Sequence, residues 1–218
     1  MPAQSTPNRA ARFRRKLLAW YRTAARDLPW RLTRDPYRIL VSEFMLQQTQ
    51  VSRVLDYYAP FLRRYPSIEA LARARGSAVR EAWDGLGYYR RAANLHRLAK
   101  EVVRRHRGVV PADPSELRRL PGVGPYTAGA VATFAYERPV AAVDTNVSRV
   151  VRRVFSCQTA KGTRTMAQLL QPKSGKTAWK FNQALMELGA LVCAARAPKC
   201  AECPVNSLCN WYSKSGNH

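Results

Sequence analysis

The sequence predicts an all-α protein. Apolar residues recur at spacings of three and four, as on one face of a helix, and nowhere at the alternating spacing of a half-buried strand. Proline, glycine and aspartate interrupt the periodic stretches at short intervals, which indicates helices joined by short loops. With 218 residues, of which 46% are hydrophobic, the chain is long enough to bury a real core.

The predicted helices follow one another along most of the chain. The first runs from about Arg9 to Arg26 and ends at Asp27-Leu28-Pro29, and a second opens after Asp35-Pro36. Further periodic segments are 51–65, 68–75, 77–83, 90–106, 115–120, a helix from Pro125, a helix after Asp144, and 179–193. Residues 157–177 are polar and irregular in pattern, so they are predicted to be a connection.

Asp144 stands where a helix N-cap belongs. Four valines at helical spacing follow it and predict a buried stripe: Val147, Val150, Val151 and Val154. Three arginines fall between them and are expected on the exposed side of the same helix: Arg149, Arg152 and Arg153.

A glycine-rich turn, Pro121-Gly122-Val123-Gly124, joins a short helical segment to the helix that begins at Pro125. Proline suits the first helical turn, where its missing N–H has no partner to lose. Gly122 and Gly124 permit backbone angles closed to other residues and let an outside group approach the main chain. The outward N–H groups of the second helix are suited to hold a phosphate. A plain helix–helix turn explains the same glycines equally well.

The charge balance points to a polyanionic partner. Basic residues outnumber acidic ones 37 to 14, for a formal net charge of +23, and nucleic acid is the first candidate. No apolar run approaches the roughly 20 residues needed to span a bilayer, and no secretory signal is recognisable. The chain is therefore expected in the cytoplasm, associated with the nucleoid.

Four cysteines are grouped near the C-terminus: Cys193, Cys200, Cys203 and Cys209. Disulfides are rare in the cytosol, so the group indicates a metal site, and four thiolates suit either zinc or an iron–sulfur cluster. Structural zinc sites commonly use two close pairs, whereas one wide gap precedes the pair here, which favours the cluster. Cys157 stands apart and is expected to be a small buried apolar residue.

The hairpin LPGVGPYTAGAV, followed by Asp144, and the four-cysteine loop resemble the helix-hairpin-helix DNA glycosylases of the endonuclease III superfamily. Four further segments closely resemble the MutY-type adenine glycosylases: DLPWR (27–31), SEFMLQQTQV (42–51), GLGYYRRAANLH (85–96) and FNQALMELGALVC (181–193). The similarity runs from Phe13 to Cys209, and several independent motifs agree.

The resemblance implies a two-lobed all-α fold in which double-stranded DNA binds across a cleft with one nucleotide flipped out. One lobe would be a six-helix module, residues 30–136, that carries the hairpin. The other would join residues 9–29 to residues 137–218 and hold a 4Fe-4S cluster in the loop 193–209. The protein is expected to act as a monomer on DNA with a mismatched or damaged base pair.

Two carboxylates suit the chemistry that the resemblance implies. Breaking a base–sugar bond needs a proton on the departing base and stabilisation of a cationic sugar. Glu43, beside apolar Phe44 and Met45, is expected to have a raised pKa and to act as the acid, while Asp144 stays ionised and faces the sugar. The alternatives are a surface helix residue for Glu43 and a simple cap for Asp144.

The resemblance assigns the same roles to Glu43 and Asp144, with Glu43 then activating water and with Tyr126 and Asn146 supporting Asp144. Related lyases carry a nucleophilic lysine in the hairpin helix, and Tyr126 occupies the matching position here. No lysine lies between Leu120 and Asp144, and a Schiff base requires an amine. A monofunctional glycosylase with little or no strand cleavage is expected.

Specificity is implied by two further sets of residues. The adenine pocket would be formed by Arg26, Trp30, Arg31, Leu46, Val51, Gln183 and Glu187. Residues that enter the base stack and read the opposite guanine or 8-oxoguanine would be Gln48, Thr49, Leu86 and Tyr88, while Gly122, Val123 and Gly124 of the hairpin would also contact DNA. Core packing is the alternative for Leu86 and Tyr88, and a solvated helix end is the alternative for Gln48.

The pocket pattern favours excision of adenine opposite guanine or 8-oxoguanine in base excision repair. MutY-type proteins normally continue into a further C-terminal domain, whereas the given sequence stops at His218. Thymine glycosylases that act on T·G or U·G mispairs also end soon after the cluster and carry a hairpin tyrosine, so they are the alternative. A non-catalytic iron–sulfur protein that binds DNA is a more distant one.

Overall fold

The structure is a computed structural model and describes residues 6–214, in which no β-strand occurs. The all-α prediction is therefore confirmed for that part of the chain. The helices are α1 (Thr6–Ala24), α2 (Pro36–Leu46), α3 (Val51–Arg64), α4 (Ile68–Arg73), α5 (Gly76–Glu81), α6 (Arg90–His106), α7 (Pro114–Leu117), α8 (Pro125–Phe134), α9 (Thr145–Phe155), α10 (Ala160–Leu169), α11 (Gly175–Leu191) and α12 (Asn210–Lys214). Single 3₁₀ turns occur at Pro29–Arg31 and Asn206–Leu208.

The helices form two compact units. One consists of residues 27–136, and the other combines residues 6–26 with residues 137–214. The domain boundaries expected from the sequence, 30–136 and 9–29 with 137–218, remain a prediction.

The unit of residues 6–26 and 137–214 is built around α1, α9 and α11. Phe13 of α1 is fully buried and meets Phe155 of α9 and Phe181 of α11 edge to face, with ring centroids 5.3 and 6.2 Å apart. The valine stripe of α9 completes this core, as predicted: Val147, Val150, Val151 and Val154 are all buried. Burial of one face of each helix, rather than helix propensity, stabilises such a bundle.

The unit of residues 27–136 has its own aromatic core. Trp83 is fully buried and meets Phe61 of α3 edge to face at 5.5 Å, and the Tyr65 ring is tilted against Phe61 at 5.1 Å. Tyr37 of α2 donates a hydrogen bond from its hydroxyl to the Tyr65 carbonyl at 2.7 Å. Helix α2 is thereby tied to the end of α3, which fixes the helix that carries Glu43.

The prediction that residues 157–177 form a connection is wrong, because α10 occupies the middle of this segment. Thr159 caps the helix by accepting a hydrogen bond from the Gly162 N–H at 3.0 Å. Thr163 and Ala167, one turn apart, are both buried. Small and hydroxylated residues can form the buried face of a helix, and hydrophobic periodicity does not detect them.

Among the helices between residues 6 and 214, none combines the length and the apolar character needed to cross a bilayer.

Candidate active site and cysteine loop

Glu43 lies on α2, and the local sequence determines where that helix begins. Asp35 accepts hydrogen bonds from the N–H groups of Tyr37 and Arg38 at 2.8 and 3.2 Å, and Pro36 occupies the first helical position. Glu43 is only 5% exposed. The alternative of a solvated surface residue is therefore excluded, and a carboxyl group is held inside an otherwise apolar helix face.

The predicted hairpin is present, with α7 before the turn and α8 beginning at Pro125. Gly122 has φ +77°, a left-handed conformation that favours glycine, and a Cβ there would lie 2.9 Å from Phe44 Cε1 and 2.8 Å from Asn94 Cβ. The turn thus packs directly against Phe44, which follows Glu43 in the sequence. Gly124 does not use the freedom of glycine, because its φ of −86° is open to any residue, and a Cβ there would meet nothing within 4 Å.

Other predicted site residues of this unit lie on several elements. Trp30 is 9% exposed and meets Tyr58 edge to face at 5.4 Å, in the turn that also carries Arg31. Leu46 ends α2 and Val51 begins α3, and both are half-buried. Tyr126 is half-buried on α8, and Val123 of the hairpin is buried.

The residues predicted to enter the base stack lie in two turns. Gln48 is exposed with φ 57°, and Thr49 follows it in the link between α2 and α3. Tyr88 is 62% exposed with φ 47°, in the link that precedes α6. Non-glycine residues with positive φ are uncommon and often mark functional turns. Leu86 is only 5% exposed, which agrees with the core-packing alternative for that residue.

Asp144 caps α9, as predicted. Its Oδ1 accepts a hydrogen bond from the Val147 N–H at 2.7 Å, and its Oδ2 accepts one from Asn146 Nδ2 at 3.0 Å. Burial raises the pKa of the Asp144 carboxyl above its usual range, and these hydrogen bonds act in the opposite direction. Both oxygens are therefore fixed in orientation beside a helix N-terminus, where a negative charge is favoured.

Arg149 links the Asp144 cap to the end of α11. Its guanidinium donates to Asn146 Oδ1 at 2.7 Å, to the Gly189 carbonyl at 2.8 Å and to the Cys193 carbonyl at 2.7 Å. The prediction that Arg149 and Arg153 lie on the exposed side of α9 is wrong, because both are half-buried against the cysteine segment. The sequence signal for this shared location is their spacing of four residues, which places both on one helix face.

Two predicted pocket residues, Gln183 and Glu187, lie one turn apart on α11. Glu187 has a side chain that is 0% exposed and forms a two-pronged ion pair with Arg26, at 2.7 Å from Nε to Oε1 and 3.0 Å from Nη2 to Oε2. The Glu187 carboxylate raises the pKa of Arg26. Gln183 is 4% exposed, and its Oε1 accepts a hydrogen bond from the Tyr21 hydroxyl at 2.7 Å. The structure thus brings Arg26, Gln183 and Glu187 together.

The four grouped cysteines line one cavity of ≈ 360 Å³, a volume that includes solvent at its mouth. Its walls are largely apolar and include Val150, Val154, Leu188, Val192 and Val205. Arg153 donates to Cys193 Sγ at 3.4 Å and to the Ala194 carbonyl at 2.7 Å, and its guanidinium lies over the Trp211 ring at 4.7 Å. Burial raises the pKa of the Cys203 thiol to about 11.

These residues fit a thiolate-bound group in two respects. All four cysteines line one cavity, and the guanidinium of Arg153 lies beside it. Within residues 6–214, however, no three His, Cys, Asp or Glu side chains form a group that could hold a metal ion. Cys157 does not line the cavity and is half-buried, and burial raises the pKa of its thiol.

The predicted catalytic residues are divided between the two units. Glu43 and Tyr126 belong to the unit of residues 27–136, whereas Asp144 and Asn146 belong to the other. The joint use of Glu43 and Asp144 in one reaction therefore stays a prediction.

The helices, the glycine hairpin and the four-cysteine loop are those of a helix-hairpin-helix protein. Comparison with known proteins supports this class. Residues 41–174 match the HhH-GPD superfamily of base excision DNA repair proteins. The adenine DNA glycosylase of Mycobacterium tuberculosis is 48% identical over 201 residues, which cover 89% of this chain and 66% of that relative. The thymine-DNA glycosylase of Aeropyrum pernix is 40% identical over 209 residues, which cover 92% of this chain and 94% of that relative.

A solved structure of a thermostable thymine-DNA glycosylase superposes with a TM-score of 0.90 at 34% identity, covering 97% of this chain and 100% of that one. The chain belongs to the HhH-GPD superfamily of base excision DNA repair proteins. It spans about two thirds of the length of the mycobacterial relative and nearly all of the Aeropyrum one.

Proposed function

We propose that this protein is a DNA N-glycosylase of base excision repair that removes adenine opposite guanine or 8-oxoguanine in double-stranded DNA. The observation that carries the reaction type is the Asp144 carboxylate, whose two oxygens are oriented by Val147 and Asn146 at a helix N-terminus. The 48% identity to a mycobacterial adenine DNA glycosylase supports adenine as the base.

The proposed reaction is a hydrolysis that uses two carboxyl groups. Protonated Glu43 donates its proton to N7 of the flipped adenine, and the bond between C1′ and the base breaks with its electron pair passing to the base. Ionised Asp144 stabilises the cationic sugar. Glu43, now a carboxylate, accepts a proton from the water that attacks C1′, which yields free adenine and an abasic site.

Strand cleavage is not expected from this active site. A lyase of this kind forms a Schiff base between an amine and C1′ of the sugar, and the hairpin helix offers the hydroxyl of Tyr126 instead. Tyr126 and Asn146 are proposed to support Asp144. Asn146 donates a hydrogen bond of 3.0 Å to Asp144 Oδ2.

Adenine recognition is proposed for the pocket residues. Because Gln183 Oε1 accepts from Tyr21, its amide nitrogen is the group left to donate to a purine ring nitrogen. Glu187, paired with Arg26, supplies a carboxylate that can accept from the adenine N6 amino group. Trp30, Arg31, Leu46 and Val51 would complete the pocket.

Contacts with DNA are proposed for the two turns and the hairpin. Exposed Gln48 and Tyr88, with Thr49 and Leu86, would fill the gap left by the flipped nucleotide, although burial of Leu86 favours a packing role for it. Gly122, Val123 and Gly124 would hold a backbone phosphate against the N–H groups that begin α8. The net charge of +23 supports a polyanionic partner, and the protein is proposed to act as a monomer.

The proposed cofactor is a 4Fe-4S cluster held by Cys193, Cys200, Cys203 and Cys209, which line one cavity beside Arg153. When bound, such a cluster would link the four thiolates into one rigid loop. No step of the proposed reaction passes through it.

A thymine or uracil glycosylase for T·G and U·G mispairs is the second candidate. The observation that favours it is similarity, because the Aeropyrum thymine-DNA glycosylase is 40% identical to this chain over 209 residues. The superposition with a thermostable thymine-DNA glycosylase supports the same candidate function.

Single-turnover assays on four labelled duplexes decide between these candidates: A·8-oxoguanine, A·G, T·G and U·G. We expect excision from the two adenine duplexes, with strand breaks appearing only after alkali treatment of the abasic product. Robust T·G excision with an inert A·8-oxoguanine duplex would establish the second candidate instead. Inactivity on all four would leave a non-catalytic DNA-binding protein.

A further inference from the structure

Arg91 occupies an unusual position for a charged residue. It is the second residue of α6, is only 6% exposed, and its guanidinium lies 5.6 Å from the Trp83 ring centroid and 5.5 Å from that of Tyr88. Burial lowers the pKa of Arg91. A buried guanidinium has lost its water and is tolerated only where other groups accept its hydrogen bonds.

The acceptors are backbone carbonyls from two separate turns. Nη1 donates to the carbonyls of Phe44 at 3.2 Å, Met45 at 2.6 Å and Gln47. Nη2 donates to the carbonyls of Leu86 and Gly87, both at 3.0 Å. One side chain therefore joins the end of α2 to the turn that precedes α6.

These carbonyls belong to segments that carry two of the non-glycine residues with positive φ. Gln48, with φ 57°, follows Gln47 directly, and Tyr88, with φ 47°, follows Gly87 directly. The first carbonyl is that of Phe44, the residue after Glu43. Such conformations persist only when their surroundings hold them, and the planar fork of one guanidinium does so for both turns.

We infer that Arg91 is a positioning residue that holds the turns bearing Gln48 and Tyr88 in one fixed arrangement, ready to enter the DNA stack when a nucleotide is flipped. Entry into DNA rests on the proposed function, whereas the link between the two turns follows from the hydrogen bonds of Arg91. Flexible turns would have to be ordered at each encounter with DNA, which would slow flipping of the nucleotide.

The test compares Arg91→Lys and Arg91→Met with the wild type. Lysine keeps the charge but not the planar fork, so it cannot hold five carbonyls in two turns. Arg104→Met is the matched control, since Arg104 lies on the same helix about 20 Å further along and pairs with Glu101 at the surface.

Three measurements are made on each protein: hydrogen exchange of the two turns, fluorescence of 2-aminopurine placed at the target position, and single-turnover excision of adenine. We expect faster exchange at residues 47–49 and 85–88 in Arg91→Lys, a reduced fluorescence rise on DNA binding, and excision slowed roughly 10- to 100-fold. Arg104→Met should match the wild type in all three.

Unchanged exchange in both turns of Arg91→Lys would overturn the role of Arg91 in ordering them, and a normal fluorescence rise in that variant would overturn its role in nucleotide flipping. Should Arg91→Met not fold, Arg91→Lys carries the same comparison. If the wild type excised no adenine, the proposed function would fail, and the exchange measurement would still decide whether Arg91 orders the turns.

Discussion

At the scale of single residues, the Asp144 carboxylate is under two opposed influences. Burial favours its protonated form, while the hydrogen bonds from Val147 and Asn146 favour its charged form. The proposed reaction needs the charged form, since only an anion stabilises the sugar cation. Under the proposed function, loss of the Asn146 side chain is therefore expected to shift the pH range of excision.

Removing the charge should remove the activity. Asp144→Asn is expected to slow excision on the order of 10²–10³-fold or more, because a fixed charge opposite the developing cation is lost. Single-turnover excision and DNA binding measured on the same protein check this, with binding expected to survive. An unchanged excision rate would refute the role given to Asp144.

Asn146→Ala should move the acidic limb of the pH–rate profile. The hydrogen bond from Asn146 lowers the pKa of Asp144, so its loss raises that pKa further and activity disappears at a higher pH on acidification. The rate at neutral pH should fall roughly 10-fold or more, as for a lost hydrogen bond to a charged group. Thr145→Ala, at an exposed neighbouring position, is the control, and an unshifted limb in Asn146→Ala would contradict the argument.

At the scale of secondary-structure elements, the close approach of α9 to α11 fixes the Asp144 cap. Gly189 of α11 lies so near Asn146 that an added Cβ would be 2.6 Å from Asn146 Cβ and 3.0 Å from its Cα. The backbone of α11 therefore supports the first turn of α9 directly, and Arg149 joins the same two helices by hydrogen bonds.

Gly189→Ala should consequently destabilise the protein, although alanine is the better helix former. Overpacking of a close helix contact costs about 1–3 kcal/mol, and excision should slow because Asn146 is displaced. Gly76→Ala is the matched control, since its Cβ would meet only His96 atoms at 3.6 and 3.8 Å. Urea unfolding of both variants checks the difference, and equal stability of Gly189→Ala and wild type would show that α9 can move without cost.

Most helices could be predicted because each has a large apolar stripe or a clear terminal signal. The valines of α9, its Asp144 cap and Pro125 at the start of α8 are examples. Helix α10 was missed since its buried face consists of residues such as Thr163 and Ala167, which carry little hydrophobic signal. A local sequence pattern detects a helix only where its buried face consists of large apolar side chains.

Interactions between distant residues could not be predicted in the same way. Arg26 and Glu187 are 161 residues apart in sequence but form a two-pronged ion pair, and nothing local indicates that Arg91 is buried while Arg90 is exposed. The position of a charged side chain depends on the carbonyls and carboxylates that the fold brings to it. Sequence motifs thus suggested the site residues, Arg26 among them, but not Arg91 and Arg149, which hold their neighbours in place.

At the scale of the whole molecule, a large positive charge coexists with a loop of thiols. The net charge is +23, and two half-buried arginines bind the segment that begins at Cys193. Arg149 and Arg153 together donate to the carbonyls of Cys193, Ala194 and Ala195. An anionic thiolate-bound cluster in this loop would be balanced by these cations.

The purified protein is therefore expected to be brown, to absorb near 400 nm, and to contain about four iron atoms per chain. Cys203→Ser should lose most of the iron and unfold at a lower temperature, because the loop between α11 and α12 loses the group that links its thiols. Cys157→Ser is the matched control and should keep both iron and stability, since Cys157 does not line the cavity. Iron analysis, absorption and thermal unfolding of the three proteins check the prediction. A colourless wild type with stoichiometric zinc would show that the loop holds a different metal, and equal iron in Cys203→Ser would show that Cys203 is not a ligand.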